Sequence, residues 1–112
     1  MQLVGFLTNV NYQLLREKLG EPTSTFGDKT IVEWDMTTDG TLLPCGGSNL
    51  AAVSVYDWKT DRYSVGHEPG EDDIPELLDD PFVSWNVAAD DATTARRALV
   101  EVGLGRYFRA DQ

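Results

Sequence analysis

Apolar and polar positions change period several times along this 112-residue chain, and each change predicts an element. Gln2 to Thr8 is a short apolar run that reads as a first strand, weakened by Gly5. Tyr12, Leu15 and Leu19 then fall at i, i+3 and i+7 with Leu14 beside them, while Arg16, Glu17 and Lys18 occupy the other side. That stripe predicts a helix over 11–19, with Asn9 or Asn11 as its cap. Gly20 supplies a left-handed stop, and Glu21-Pro22 prevents continuation. The Thr-, Ser- and Gly-rich segment from Pro22 to Asp28 reads as a loop.

Strict alternation follows. Thr30, Val32, Trp34 and Met36 share one face of a predicted strand; Ile31, Glu33, Asp35 and Thr37 share the other. Asp39-Gly40 is the strongest turn signal in the chain. Thr41 to Asn49 is a longer loop in which Thr41 to Leu43 continues the strand briefly. Leu50 to Trp58 is apolar on both faces, the pattern of a central strand covered on both sides. Lys59-Thr-Asp61 turns into Arg62 to Val65, a hairpin partner. Within the acidic stretch that follows, Ile74 to Leu78 predicts one helical turn with Pro75 at its first position. Phe82 to Val87 reads as the last strand, with Val83, Trp85 and Val87 on one face and Ser84 and Asn86 on the other. Asp90-Asp91 caps a second helix whose stripe is Ala92, Ala95, Ala98, Leu99 and Val102. Gly103 and Gly105 end that helix, and Arg106 to Arg109 reads as a terminus folded over the sheet. The order β-α-β-β-β-β-α predicts a single α+β domain over 1–112, an antiparallel sheet of four to five strands with two helices packed on one face.

Composition narrows this reading. Three Trp, four Tyr and four Phe can fill a core without a disulfide or a metal. One cysteine, Cys45, and one histidine, His67, support neither an internal disulfide nor a four-ligand zinc site, and no cofactor is expected. The start of the chain lacks a basic segment ahead of its short apolar run, and no stretch is long enough to cross a bilayer, so the expected location is cytoplasmic.

Charge changes the picture most. The formal net charge is −10, and residues 68–91 hold nine of the 19 acids with no base. Such a field disfavours direct nucleic-acid binding, which depends on Lys and Arg displacing counterions. It suits a basic protein surface instead. Glu71, Asp72, Asp73, Glu76, Asp79 and Asp80 are therefore the candidate partner-binding residues, set against the plainer reading of a solvated loop that keeps the chain soluble. A calcium loop is disfavoured, because the stretch lacks alternating ligands and a central glycine.

Other candidates are weaker. Glu33 and Asp35 share a strand face, with Asp57 on a neighbour; paired carboxylates can do acid–base or metal chemistry, but the pattern reads as the wet face of a half-exposed sheet. Cys45 in Pro44-Cys-Gly-Gly would need His67 as its base, and nothing in the spacing joins them. Trp34, Tyr56, Trp58, Tyr63 and Trp85 read as core or sheet-face packing. With no triad, metal cluster or phosphate loop, the chain reads as a non-enzyme.

Leu15-Arg-Glu-Lys-Leu-Gly-Glu-Pro22, the Val-Glu-Trp-Asp that ends at Asp35, Val55-Tyr-Asp-Trp-Lys59 and Ser84-Trp-Asn-Val87 resemble a pattern in small phage-encoded proteins. That pattern has a short helix ending in Gly-x-Pro, a strand ending in Glu-Trp and a strand end of the form Tyr-Asp-x-Lys. The resemblance spans about two thirds of the chain; the long acidic connection after Val65 departs from it. It implies a phage origin, the host cytoplasm as location and a host protein with a basic surface as partner, in the manner of an anti-CRISPR or other anti-defence inhibitor. Most members carry no assigned activity, so no residue role is transferred. Two alternatives remain at this point: a nucleotide-binding protein using Arg62, Arg96 or Arg97, and a virion assembly component.

Overall fold

The computed structural model describes residues 1–27, 30–58, 69–80 and 83–111. Its elements are β1 (Gln2–Leu7), α1 (Tyr12–Leu19), β2 (Ser24–Thr25), β3 (Val32–Met36), β4 (Val53–Tyr56), α2 (Ile74–Leu77), β5 (Trp85–Ala89), α3 (Ala92–Glu101) and β6 (Phe108–Ala110). The strands form one six-stranded antiparallel sheet in the order β2-β3-β4-β5-β1-β6. The fold is α+β, as the pattern of the sequence predicts.

Alternation decides which side of the sheet is covered. Trp34, Val55 and Val87 stand in register, and so do Met36, Val53 and Ala89. All six are buried and meet Leu15 and Leu19 of α1, Ile74 and Leu77 of α2, and Ala95, Ala98 and Leu99 of α3 in one hydrophobic core. Trp34 is the centre of that layer, with its ring 6.1 Å from Tyr12 and 6.0 Å from Trp85. Its indole N–H donates to the Gly20 carbonyl at 2.9 Å, which satisfies a buried polar group and fastens the end of α1 to the sheet.

Local chemistry sets the helix ends. The Asn11 side chain accepts from Leu14 N–H at 2.8 Å, and Asp91 accepts from Thr94 N–H at 2.7 Å. The Thr94 hydrogen bonds hold the Asp91 carboxyl below its usual range. Gly20 takes φ 86° and returns its N–H to Arg16 O. After β3 the chain turns at Asp39-Gly40, where the Asp39 carboxylate accepts from the hydroxyls of Thr37 and Thr41 and is held below its usual range by them.

Four expectations need correction. Pro22 to Asp28 is not all loop: Ser24 and Thr25 pair with Glu33 and Val32, and the Thr23 hydroxyl accepts from Asp35 N–H at 2.9 Å while donating to Leu43 O at 2.8 Å. That side chain supplies bonds a backbone would otherwise make, so a turn-like composition becomes an edge strand. β4 begins only at Val53, with Ser48–Leu50 in a short 3₁₀ turn and Leu50 exposed; its second face carries Ser54 and Tyr56 rather than an apolar layer. β5 runs two residues further than expected, because Ala88 and Ala89 pair with β1 and β4 despite alanine's weak strand preference. The C-terminal stretch is no frayed terminus: Phe108 is buried and Phe108–Ala110 add β6 beside β1. β2 and β6 raise the strand count above four to five, and α2 adds a third helix. The predicted hairpin partner Arg62 to Val65 and its turn lie outside the described residues.

Two contacts are tight enough to test. The buried Asp57 carboxylate accepts, through Oδ1, the N–H groups of Ile31 at 2.9 Å and Val32 at 2.8 Å. Asp57→Ala strands both donors and is expected to destabilise the fold by about 2–3 kcal/mol in urea unfolding, with Asp57→Asn losing less. At Gly5, an added Cβ would stand 2.3 Å from Arg109 O, so β1 and β6 approach more closely than any side chain permits. Gly5→Ala should therefore release β6, read as faster amide exchange at Phe108 and Ala110 and a loss of about 1–3 kcal/mol.

Candidate functional site

The candidate acidic residues fall on one short anchored segment. Glu71–Asp73 form a 3₁₀ turn that leads directly into α2. Ile74, Leu77 and Leu78 turn inward and are buried, so the segment is bound to the core along its underside. Glu71, Asp72, Glu76 and Asp79 are exposed, whereas Asp73 and Asp80 are half-buried. Asp73 accepts from Gly70 N–H at 2.9 Å and closes the first turn. The Thr25 hydroxyl donates to Glu71 at 3.2 Å, which ties the segment to β2. The ion pairs among the described residues are the Met1 ammonium with Asp90 at 3.5 Å and Arg16 with Glu21 at 2.9 Å.

Three of the four C-terminal arginines are engaged elsewhere. Arg96 lies over the Phe108 ring at 5.0 Å and Arg106 over Tyr107 at 4.8 Å. Arg109 donates to the carbonyls of Arg106 and Phe108, each at 3.0 Å. The acidic field reaches α1: burial raises the Tyr12 phenol above its usual value, Arg16 opposes this, and Glu21 and Glu71 add to it. Between α1 and α2 lies an open recess of about 260 Å³ lined by Asn11, Tyr12, Gln13, Pro75, Leu78 and Asp79.

A second cluster occupies the side of the sheet away from the core. Register places Glu33, Tyr56, Asn86, Phe6 and Arg109 in one transverse row, and Asp35, Ser54, Ala88 and Leu3 in the next. Alternation put Glu33 and Asp35 together as expected, but the surroundings differ from a wet face. Asp35 is fully buried; its Oδ1 accepts from the Ser54 hydroxyl, and its Oδ2 takes no donor among the described residues. Glu33 beside it is half-buried, and its carboxyl is pushed up to about 7 by burial first, then by the hydrogen bond to Asp35 and by that group's negative charge. A protonated Glu33 supplies the O–H that Asp35 Oδ2 otherwise lacks. Burial and the Glu33 charge also raise the Tyr56 phenol. Asp57, expected nearby, is engaged with the backbone of Ile31 and Val32 instead.

Ser54, Tyr56 and Asn86 are the residues that strand-by-strand reading missed. Each sits on a different segment from Glu33, and only the pairing register brings them beside it. Of the remaining candidates, Cys45 is an exposed free thiol, Trp58 is exposed, Trp34 and Trp85 are core, and His67 and Tyr63 lie outside the described residues. No group of three His, Cys, Asp or Glu side chains among the described residues is placed to hold a metal ion. No described helix is long and apolar enough to cross a membrane.

No protein-family model matches this sequence, and neither curated proteins nor solved structures yield a match. Function is therefore argued from the two acidic clusters themselves.

The raised Glu33 carboxyl carries a definite pH signature. Its folded value of about 7 lies above the ordinary glutamate value of 4.5, so the folded state holds the extra proton between those two pH values. Stability contributed by this group is complete below the lower value, falls as pH rises towards about 7, and stays lost above it. Glu33→Gln should remove that slope and stabilise the protein at pH 8 by on the order of 1–2 kcal/mol, allowing for partial solvent screening. Urea midpoints of both proteins from about pH 4 to pH 9 give the comparison.

Proposed function

We propose that the chain is a non-enzymatic interaction protein that binds a basic surface of another protein through its acidic segment. The observation that carries this reading is the pairing of a buried underside with an outward array. Ile74, Leu77 and Leu78 fix the segment, while the exposed Glu71, Asp72, Glu76 and Asp79 form no ion pair among the described residues. Exposed like charges held on a fixed support are separated from the cations that would relax them. A basic partner supplies those cations, and the field steers its approach. The resemblance to small phage-encoded proteins supports a host protein as the partner class, with inhibition of a host defence enzyme as the biological role. A nucleic-acid-handling enzyme offers the basic channel such a surface would cover.

The nucleotide-binding alternative draws less support. Arg96 is stacked on Phe108, and the recess beside α1 is edged by Asp79, whose charge opposes a phosphate.

The fourfold variant Glu71→Lys, Asp72→Lys, Glu76→Lys, Asp79→Lys is expected to keep its fold, since all four side chains are exposed. In fluorescence-anisotropy titrations against a lysine-rich peptide, its affinity at low salt should fall by tenfold or more, and the salt dependence should flatten. From a host lysate, the wild-type chain should retain a basic protein at low salt that the variant does not. Unchanged peptide affinity would reduce the acidic segment to a solubility device.

A further inference from the structure

Outside the acidic segment, one place combines a buried carboxyl oxygen that lacks a donor among the described residues with an accessible carboxyl neighbour. We propose that the half-buried Glu33, backed by the buried Asp35 on the side of the sheet away from the core, is a binding site for one cationic side chain of a protein partner, whose flanking apolar residue rests on the exposed Leu3 and Phe6. This goes beyond the proposal for the acidic segment and uses none of its residues.

Asp35 is fully buried, one oxygen is bonded to Ser54, and the other has no donor among the described residues except the neighbouring Glu33 carboxyl while that group holds its proton. A buried carboxylate oxygen in that state is costly unless a proton or a cation stands beside it. Glu33 is the only described titratable group adjoining it on β3. From β4 the pair is faced by Tyr56 and Ser54, from β2 by Ser24 and from β5 by Asn86, none of them cationic, while the Met1 thioether lies 3.6 Å from the Ser54 hydroxyl. The Met1 ammonium is paired with Asp90, and Arg109, in the same row, lies four strands away, about 19 Å. When Glu33 loses its proton, two negative charges are left side by side with no base among the described residues to balance them. Glu33 is half-buried, so it is the group that an ammonium or guanidinium reaches, with Asp35 behind it holding a second negative charge.

The same face carries the other half of the site. Leu3 and Phe6 are exposed large apolar residues in the two rows that contain Asp35 and Glu33. They stand three strands away, about 14 Å, which is the span of roughly four residues of an extended segment. A segment with a basic residue at one end and an apolar residue four positions on meets both. A purely apolar occupant would bury Glu33 without a counter-charge, and a second copy of this chain, at net charge −10, is opposed by its own field.

Binding must then displace the Glu33 proton. With half of Glu33 ionised near pH 7, the ionised fraction rises about tenfold from pH 6 to pH 8. The test is amide-resolved NMR titration of the full chain with a five-residue peptide, lysine at one end and leucine at the other, and with its acetyl-lysine counterpart. The proposal expects shifts centred on Glu33, Ser54, Tyr56, Asn86 and Phe6, with affinity about tenfold higher at pH 8 than at pH 6. It expects their loss with acetyl-lysine and with Glu33→Gln, a change that should not unfold the protein, and a marked weakening with Asp35→Asn. The fourfold acidic-segment variant should keep this response, so failure here and failure of the acidic segment are told apart. Shifts confined to Glu71–Asp79, or a response unchanged in Glu33→Gln, overturn it.

Discussion

The Asp57 carboxylate, which takes the N–H groups of Ile31 and Val32 onto one oxygen, fixes where β3 begins. Almost everything else follows from that point, because the strand's side chains alternate and its register on β4 is shared by the whole sheet. A slip of one residue would turn Trp34 outward and bring Glu33 and Asp35 into the core. Held as it is, the strand presents Trp34 to Tyr12, Trp85 and Gly20, and the two carboxyls to the opposite side. One buried charge therefore separates an apolar layer from a polar one, and both proposed surfaces depend on the separation.

Much of this arrangement is legible in the sequence where local physics decides. Asn11 and Asp91 cap their helices, Gly20 stops α1, Asp39-Gly40 makes the turn, and the stripe from Ala95 to Leu99 faces the core. Pro75 stands in the first turn of α2, one place after the opening Ile74, where its fixed backbone angle and missing N–H are tolerated. What escapes is set by partners distant in the chain. β2 exists because Ser24 and Thr25 find Glu33 and Val32, and β6 because Phe108 finds Leu7 across the full length of the protein. Their own compositions read as loop and tail.

The candidate sites divide in the same way. The acidic segment is a compositional signal, visible from counting, and the buried anchors beneath it follow a helical spacing that can be read directly. The environment of Glu33 cannot. Alternation alone puts two carboxyls on one face, but whether that face is wet depends on Ser54, Tyr56 and Asn86, which arrive through strand pairing. The same two letters in β3 thus describe either ordinary surface acids or a proton-holding pair, and only burial of Asp35 separates the cases. The two acidic clusters also differ in kind. One is exposed on a short helical segment; the other is a half-buried carboxyl beside a fully buried one.

Neither margin of the sheet offers much to another strand. β2 is two residues long and β6 is three, with the charged Arg109 at the middle of β6 and its guanidinium bent back onto neighbouring carbonyls. Ordered stacking of chains edge to edge needs a longer run of free backbone than either provides. Among the described residues the two margins are thereby poor templates for fibrillar growth, which leaves the faces of the sheet, with their side chains, as the better surface for association.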